Sequence, residues 1–250
     1  MTTALLKKII ISGTIEAKTG LMIGASQNGM TIGGTNREVI RNPISGQPYI
    51  PGSSLKGKMR SLFELAEGEF GKNVGNNESV VDAGPSNNPA HKAARLFGYI
   101  PKDESSEKSG KTDEKGRPYQ RPSRLIVRDA HLTNAEALQK TDLLFTEVKT
   151  ENSINRITSQ ATPRNFERVP AGAKFGFELV LNIFENDDEA ELLSCTRQAL
   201  RLLQDDYLGG GGSRGNGQVA FTIAKVSERT IAYYQGKEHE TSRDLADFAL

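Results

Sequence analysis

Residues 8–18 and 174–184 alternate between apolar and polar positions, which is the pattern of a half-buried β-strand. One face of the first segment holds Ile9, Ile11, Gly13, Ile15 and Ala17, and one face of the second holds Phe175, Phe177, Leu179, Leu181 and Ile183. Residues 124–132 and 218–227 are predicted as two further strands. The chain therefore supplies four strands for a sheet with one buried face.

Two other segments place apolar residues at helical spacing. The first opens at Pro51-Gly52-Ser53-Ser54, and the second covers residues 187–208. Their apolar positions are Leu55, Met59, Leu62, Phe63 and Ala66 in the first, and Leu192, Leu193, Ala199, Leu200 and Leu203 in the second. The order is then strand, helix, strand, strand, helix, strand. It predicts an α+β fold of the ferredoxin-like (RRM-like) βαββαβ type.

Polar stretches between these elements predict insertions into a single domain of residues 1–250. The core takes approximately residues 7–66, 122–132 and 174–228, and the insertions are 67–121 and 133–173. Within the first insertion, residues 101–118 contain no hydrophobic residue and are dense in charge. Such a segment cannot bury enough apolar surface to fold by itself, so we expect it to be mobile or ordered only by a partner.

Composition excludes several classes of protein. No apolar run approaches the roughly 20 residues that span a membrane, and the first residues lack a signal-peptide pattern. Cys195 is the single cysteine, and with three scattered histidines it forms neither a disulfide nor a Cys/His zinc cluster. We therefore expect a cytoplasmic protein with no membrane partner. The net charge of +1 decides nothing about nucleic acid, because binding depends on where the charge lies.

Residues 209–217 hold six glycines and Arg214 in nine positions, between the second helix and the last strand. Glycine permits conformations and close approaches that other residues forbid. The helix–loop–strand order rejects a dinucleotide fingerprint, which must leave a strand and open a helix. A flexible linker and a structural helix stop are the alternatives. We favour a loop that lies against a phosphate backbone, with Arg214 as the counter-charge.

The start of the first helix is a second candidate for anion binding. Ser53 and Ser54 lie at its N-terminus, and Lys56, Lys58 and Arg60 follow without an intervening acid. Helix N-termini bind anions through unpaired backbone N–H groups. The structural alternative is that one serine is an ordinary N-cap.

Residues 146–169 form a long polar excursion between two core strands, interrupted by Ile154, Ile157 and Phe166. It is too long for an ordinary hairpin loop. Polar side chains with an exposed apolar wedge suit contact with single-stranded bases. A solvated irregular loop is the alternative.

Catalytic signals in the sequence are weak. The simpler interpretation of Asp129 is that it accepts a structural hydrogen bond.

Together these motifs resemble the backbone subunit of type III-A (Csm-type) CRISPR effector complexes, a member of the RAMP superfamily. The most specific match is Pro51-Gly52-Ser53-Ser54-Leu55-Lys56-Gly57-Lys58-Met59-Arg60. The other matching stretches are 19–24, 95–98, 124–130, 146–149, 155–158, 163–164, 167–168 and 206–217. They follow the family's order over roughly residues 8–228.

The resemblance implies that several copies stack along a guide RNA, next to other subunits of a type III complex, and hold a target RNA paired to the guide. It assigns the first helix and the glycine-rich loop to the guide backbone. It makes residues 146–169 a thumb that intrudes between bases, with a lid-like first insertion. The RNA-binding residues it implies are Ser53, Ser54, Lys56, Lys58, Arg60, Arg128, Asn155, Arg156, Arg164, Arg168, Gly210, Gly211, Gly212, Ser213 and Arg214.

The family's metal-dependent cleavage of target RNA, with Mg²⁺ or Mn²⁺, uses an Asp at the position that Asn36 occupies here. Asn keeps the shape but loses the negative charge, so we expect weak cleavage and name no metal ligand. Whether Asn36 is natural or engineered stays open. One rival function is a stand-alone RAMP endoribonuclease that processes precursor guide RNA, and another is a small-molecule nucleotide-binding enzyme.

Overall fold

A computed structural model describes residues 4–24, 38–70, 84–88, 90–99, 123–139, 141 and 143–250. The strands are β1 (Leu5–Ala17), β2 (Tyr49–Ile50), β3 (Leu125–Val127), β4 (Ala130–Leu132), β5 (Glu147–Ile154), β6 (Ala161–Arg168), β7 (Lys174–Phe184), β8 (Val219–Thr230) and β9 (Thr241–Ser242). The α-helices are α1 (Gly52–Ala66), α2 (Lys92–Phe97), α3 (Ala135–Leu138), α4 (Glu189–Asp205) and α5 (Ile231–Tyr234). In this part of the chain no helix is long and apolar enough to cross a membrane.

The main sheet has β1 at its centre, antiparallel to β7 on one side and to β8 on the other. On its far side β7 pairs with β3 and β4, which gives the antiparallel order β8-β1-β7-β3/β4. This is the sheet order of a ferredoxin-like fold, so the predicted fold class is confirmed. The short strands β2 and β9 extend the two edges.

The alternating residues of β1 and β7 form the core, as their period predicts. Ile9, Ile11 and Ile15 are fully buried, and so are Leu179 and Leu181. The helices α1 and α4 pack against each other and bury their apolar faces in the same cluster. Asp188 caps α4 by accepting a hydrogen bond from the Glu191 N–H at 3.0 Å.

Several sequence-based expectations differ from the structure. The predicted strand 124–132 is two short strands, because Asp129 turns toward the start of α1. The predicted helix 187–208 ends at Asp205, since the glycine-rich turn begins soon afterwards. Neither serine caps α1, whose N-cap is Pro51 with no side-chain hydrogen bond.

The C-terminal residues form a strap outside the predicted core. It contains α5, β9 and a 3-10 turn at Leu245–Phe248, whose Phe248 is buried against the core. Two predictions concern segments outside the described residues, namely the expected mobility of residues 101–118 and the position of Asn36.

Candidate nucleic-acid interface

The N-terminus of α1 is fixed from the sheet rather than by its own serines. The Asp129 carboxylate accepts a hydrogen bond from the Gly52 N–H at 2.7 Å. A Cβ on Gly52 would lie 2.3 Å from the Val127 carbonyl oxygen, so only glycine fits at this crossing. Asp129 thus accepts a structural hydrogen bond, which was the simpler interpretation of this residue in the sequence. Ser53 and Ser54 lie in the first turn of α1 and do not cap it.

The glycine-rich loop packs against the chain's own backbone. The Gly210 N–H donates to the Met22 carbonyl at 2.8 Å, and a Cβ on Gly209 would lie 2.2 Å from that same oxygen. Gly212 lies against the Tyr207 ring, where a Cβ would come within 1.9 Å of the ring carbons. Glycine is therefore required at these positions because a side chain would collide with the protein's own atoms. The sequence had instead predicted the close approach of an external phosphate backbone.

The loop and α1 enclose a cleft of ≈ 610 Å³. It is lined by Met22, Ile23, Gly24, Ser53, Ser54, Gly57, Lys58, Ser61, Leu208, Gly209 and Gly210. Lys58 lines this cleft, and its Nζ lies 3.7 Å from the centre of the Tyr207 ring and 3.3 Å from the Asp206 carboxylate. The cleft thus brings together three of the predicted residues of α1 and one of the predicted glycines.

The other two cations of α1 point elsewhere. The Lys56 Nζ donates to the Ser123 hydroxyl at 2.9 Å, and burial, followed by the charge of Arg60, lowers the pKa of Lys56. Arg60 donates to Glu64 at 2.7 Å and to the carbonyls of Gly98 and Ser86 at 2.8 and 2.7 Å. Arg60 therefore ties α1 to two loops with the guanidinium donors that the sequence predicted for a phosphate.

The polar excursion is a regular two-stranded hairpin formed by β5 and β6, joined by a turn at residues 155–160. The irregular loop considered as an alternative is therefore wrong for most of this segment. At the tip, the Asn155 Oδ1 accepts hydrogen bonds from the N–H groups of Ile157 and Thr158 at 2.9 and 3.2 Å. Ile157 is 94% exposed, and Arg156 lies beside it in solvent.

The base of the hairpin is docked on the glycine-rich loop through Asn216. Its Oδ1 accepts from Lys149 on β5 at 3.3 Å and from Arg168 on β6 at 2.8 Å. Arg168 also donates to Glu147 at 2.6 Å. Arg168 thus links the hairpin to the glycine-rich loop.

A second cleft, of ≈ 500 Å³, lies between the hairpin and the loop. It is lined by Met22, Glu151, Asn152, Ser153, Arg164, Asn165, Phe166 and Arg214. Two predicted cations, Arg164 and Arg214, therefore share one concave surface. Met22 lines both clefts, so the two are neighbours.

A buried carboxylate, Glu167, holds the hairpin to the segment that follows residue 37. Its oxygens accept from the Val39 N–H at 2.8 Å, from the Thr146 hydroxyl at 2.5 Å and from Arg41 at 2.5 Å. Burial alone would raise the pKa of Glu167, but these hydrogen bonds outweigh it and hold that pKa below its ordinary value. Sequence reasoning missed this role because the partners lie far apart in the chain.

Comparisons with known proteins identify relatives of this chain. The model of the RAMP superfamily matches residues 14–220. A protein of Methanothermobacter thermautotrophicus named CRISPR system Cms endoribonuclease Csm3 is 42% identical over 246 residues, which are 97% of this chain and 94% of that protein. A protein of Methanocaldococcus jannaschii with the same name is 39% identical over 93% of this chain and 86% of its own length.

The chain belongs to the Csm3 family of the RAMP superfamily. Among solved structures, the Csm3–Csm4 subcomplex of the type III-A CRISPR-Cas interference complex matches with a TM-score of 0.59 and 30% identity. That match covers 96% of this RAMP chain and 90% of the other. A type III-B Cmr-beta complex bound to cognate target RNA shares the fold, at a TM-score of 0.55 and 17% identity over 90% of this chain and 61% of that one.

Several predicted residues of this RAMP chain, Arg128 among them, line neither cleft. Arg128 sits at the junction of β3 and β4 and forms an exposed ion pair with Glu178 at 2.6 Å. Asn36 is not among the described residues, but the ends of its segment are. Gly24 and Val39 form a β-bridge, and Gly24 lines the cleft beside α1.

Proposed function

We propose that this chain is an RNA-guided, RNA-binding backbone subunit of a type III CRISPR interference complex. In this proposal the cleft between α1 and the glycine-rich loop holds the guide RNA, and the hairpin contacts the guide paired with its target RNA. Further copies of the chain and other subunits of the complex complete the site. We include the cytoplasmic location and the single-domain organisation in the same proposal.

One observation carries the proposal. Three separate parts of the sequence, namely α1, the loop 209–217 and the hairpin, line two neighbouring clefts that contain Lys58, Arg164 and Arg214. Cations in a concave surface attract the phosphates of a nucleic acid. The exposed apolar Ile154 and Ile157 on the hairpin suit wedging between bases. Membership of the Csm3 family points to the same function.

The stand-alone processing endoribonuclease has no specific support in the site. Such an enzyme needs a histidine or tyrosine base close to the bound RNA. His91 hydrogen-bonds with Ser86 and Asn88, His131 packs beside Tyr49, and neither a histidine nor a tyrosine is among the described residues that line the two clefts. The relatives carry the Csm3 name, which also does not favour this rival.

The RNA cleavage that we infer for the family depends on a divalent metal ion, and such an ion would bind through carboxylates. The described residues do not fit it, because they contain no cluster of three His, Cys, Asp or Glu side chains that could hold an ion. Asp129 is engaged by the Gly52 N–H. We therefore assign no catalytic step to a metal in this chain.

The Lys58→Ala variant tests the guide-binding cleft. If the Lys58 ammonium contacts a phosphate, the variant binds guide-length single-stranded RNA more weakly. The slope of log K against log salt then flattens by about 0.7. Lys92→Ala is the matched control, because Lys92 also pairs with an acid, Glu67 at 2.9 Å, but lines neither cleft. Unchanged affinity and slope in Lys58→Ala would remove this cleft from the proposal.

A further inference from the structure

The cleft between the hairpin and the glycine-rich loop contains one carboxylate, that of Glu151, among two cations, three neutral polar side chains and two apolar ones. One of its oxygens accepts from the Arg214 Nε at 2.8 Å, and the other lies 3.3 Å from the Lys149 Nζ. Glu151 and Arg164 are also register partners across the hairpin. A single acid therefore faces three cations at the place where we propose that RNA lies.

The pairing of these cations is loose enough to exchange. The Arg214 side chain is 58% exposed, whereas those of Lys149 and Glu151 are 26% and 25% exposed, and the Lys149 contacts with Glu151, Asn216 and the Arg214 carbonyl are all 3.3 Å. Because Arg214 lies largely in solvent and the Lys149 contacts are long, these pairs hold the cations weakly, and an incoming anion can replace the carboxylate at small cost. Arg164 is exposed and makes no ion pair or hydrogen bond within the described residues, so it is available to the same anion.

We infer that the Glu151 carboxylate is an internal competitor of the RNA backbone, which a phosphate displaces from Arg214 and Lys149 when RNA binds. The inference rests on the proposed RNA-binding function and adds to it a residue that limits affinity. A carboxylate and a phosphodiester both present two anionic oxygens to an arginine, so the exchange preserves the charge-assisted hydrogen bonds. Arg214 is thereby held in the cleft in either state.

Glu151→Gln tests this inference, because glutamine keeps the size of the side chain and removes its charge. Binding of a fluorescein-labelled single-stranded RNA by the full chain should tighten about two- to fivefold at low salt. The salt slope should steepen by about 0.7 for each cation that the carboxylate no longer neutralises. In the Arg214→Ala background most of this gain should disappear, since the two residues are coupled.

Glu16→Gln is the matched control. Glu16 forms an exposed ion pair with Lys18 at 2.9 Å and does not line the cleft, so its neutralisation should change RNA binding little. Equal gains in Glu16→Gln and Glu151→Gln would reduce the effect to net charge and overturn the inference. So would unchanged or weaker binding by Glu151→Gln with a wild-type melting temperature. Failure of the wild-type chain to bind RNA at all would instead refute the proposed function.

Discussion

At the scale of single residues, the acidic side chains determine which cations of the site are already paired within the protein. Asp206 pairs with Lys58, Glu64 with Arg60, and Glu151 with Arg214. Two of these acids lie 63 or more residues from their partners in sequence. A scan for local clusters of Lys and Arg therefore finds the cations, but it cannot tell which of them the protein itself has neutralised.

Glu167 gives a prediction about stability and pH. Its pKa is lowered in the folded protein, so its contribution is complete above its ordinary pKa of about 4.3 and is lost as the pH falls through the lower folded value. Glu167→Gln should cost about 2 kcal/mol at pH 7, because three hydrogen bonds to a buried charge are weakened. Urea unfolding at several pH values measures this difference.

The difference between Glu167→Gln and the wild type should shrink as the pH falls below the ordinary pKa of the carboxyl and through its lower folded value, because the wild-type carboxylate then also becomes protonated. Glu178→Gln serves as the control, since the Glu178 carboxylate pairs with Arg128 at the surface and is not buried. A stability loss in Glu167→Gln that is the same at pH 3.5 and pH 7 would show that the charge is not the source of the effect.

Asn36 gives a prediction about activity that rests on the family resemblance. A carboxylate at this position would help to hold a divalent cation, which would supply the positive charge that stabilises the scissile phosphate, and one such electrostatic group is typically worth about 10²–10³ in rate. Asn36→Asp should therefore raise metal-dependent cleavage of a guide-matched target RNA in an assembled complex, with nearly unchanged target affinity. Rapid cleavage by the chain with Asn36, or no gain in the variant, would contradict the assignment.

At the scale of elements, the strands and helices could be predicted because each must bury one face. The period of two in β1 and β7 and the helical period in α1 and α4 leave few alternatives for a chain with one core. The purpose of the glycine-rich loop could not be predicted in the same way. Sequence shows that side chains are excluded there, but not that Met22 and Tyr207 fill the space.

The glycines therefore give a second stability prediction. Gly209→Ala should destabilise the fold by about 1–3 kcal/mol, because Gly209 has φ +79° and its Cβ would meet the Met22 carbonyl. Gly57→Ala is the matched substitution within α1, where a Cβ meets no atom within 4 Å. It should stabilise by about 0.5–1 kcal/mol through helix propensity. Thermal unfolding compares the two, and equal effects would refute the packing account.

At the scale of the whole molecule, the hairpin and the glycine-rich loop act as one unit because Asn216 and Glu151 connect them. The sequence indicated both segments as RNA contacts, but it could not show that they share a cleft. That proximity depends on the sheet order, which brings the segments after β4 and after α4 to the same end of β1 and β7. This arrangement joins the separate motifs into one continuous surface, which we propose as the RNA-binding surface.

The most direct test of the central proposal is native mass spectrometry of the chain after co-expression with a guide RNA array. A backbone subunit should appear as discrete multimers, each bound to one RNA of guide length, with masses that differ by one copy of the chain. The combined variant Lys58→Ala/Arg214→Ala should lose RNA and multimers together while it keeps its fold. A wild-type monomer free of RNA, under conditions where the array is transcribed, would contradict the proposal.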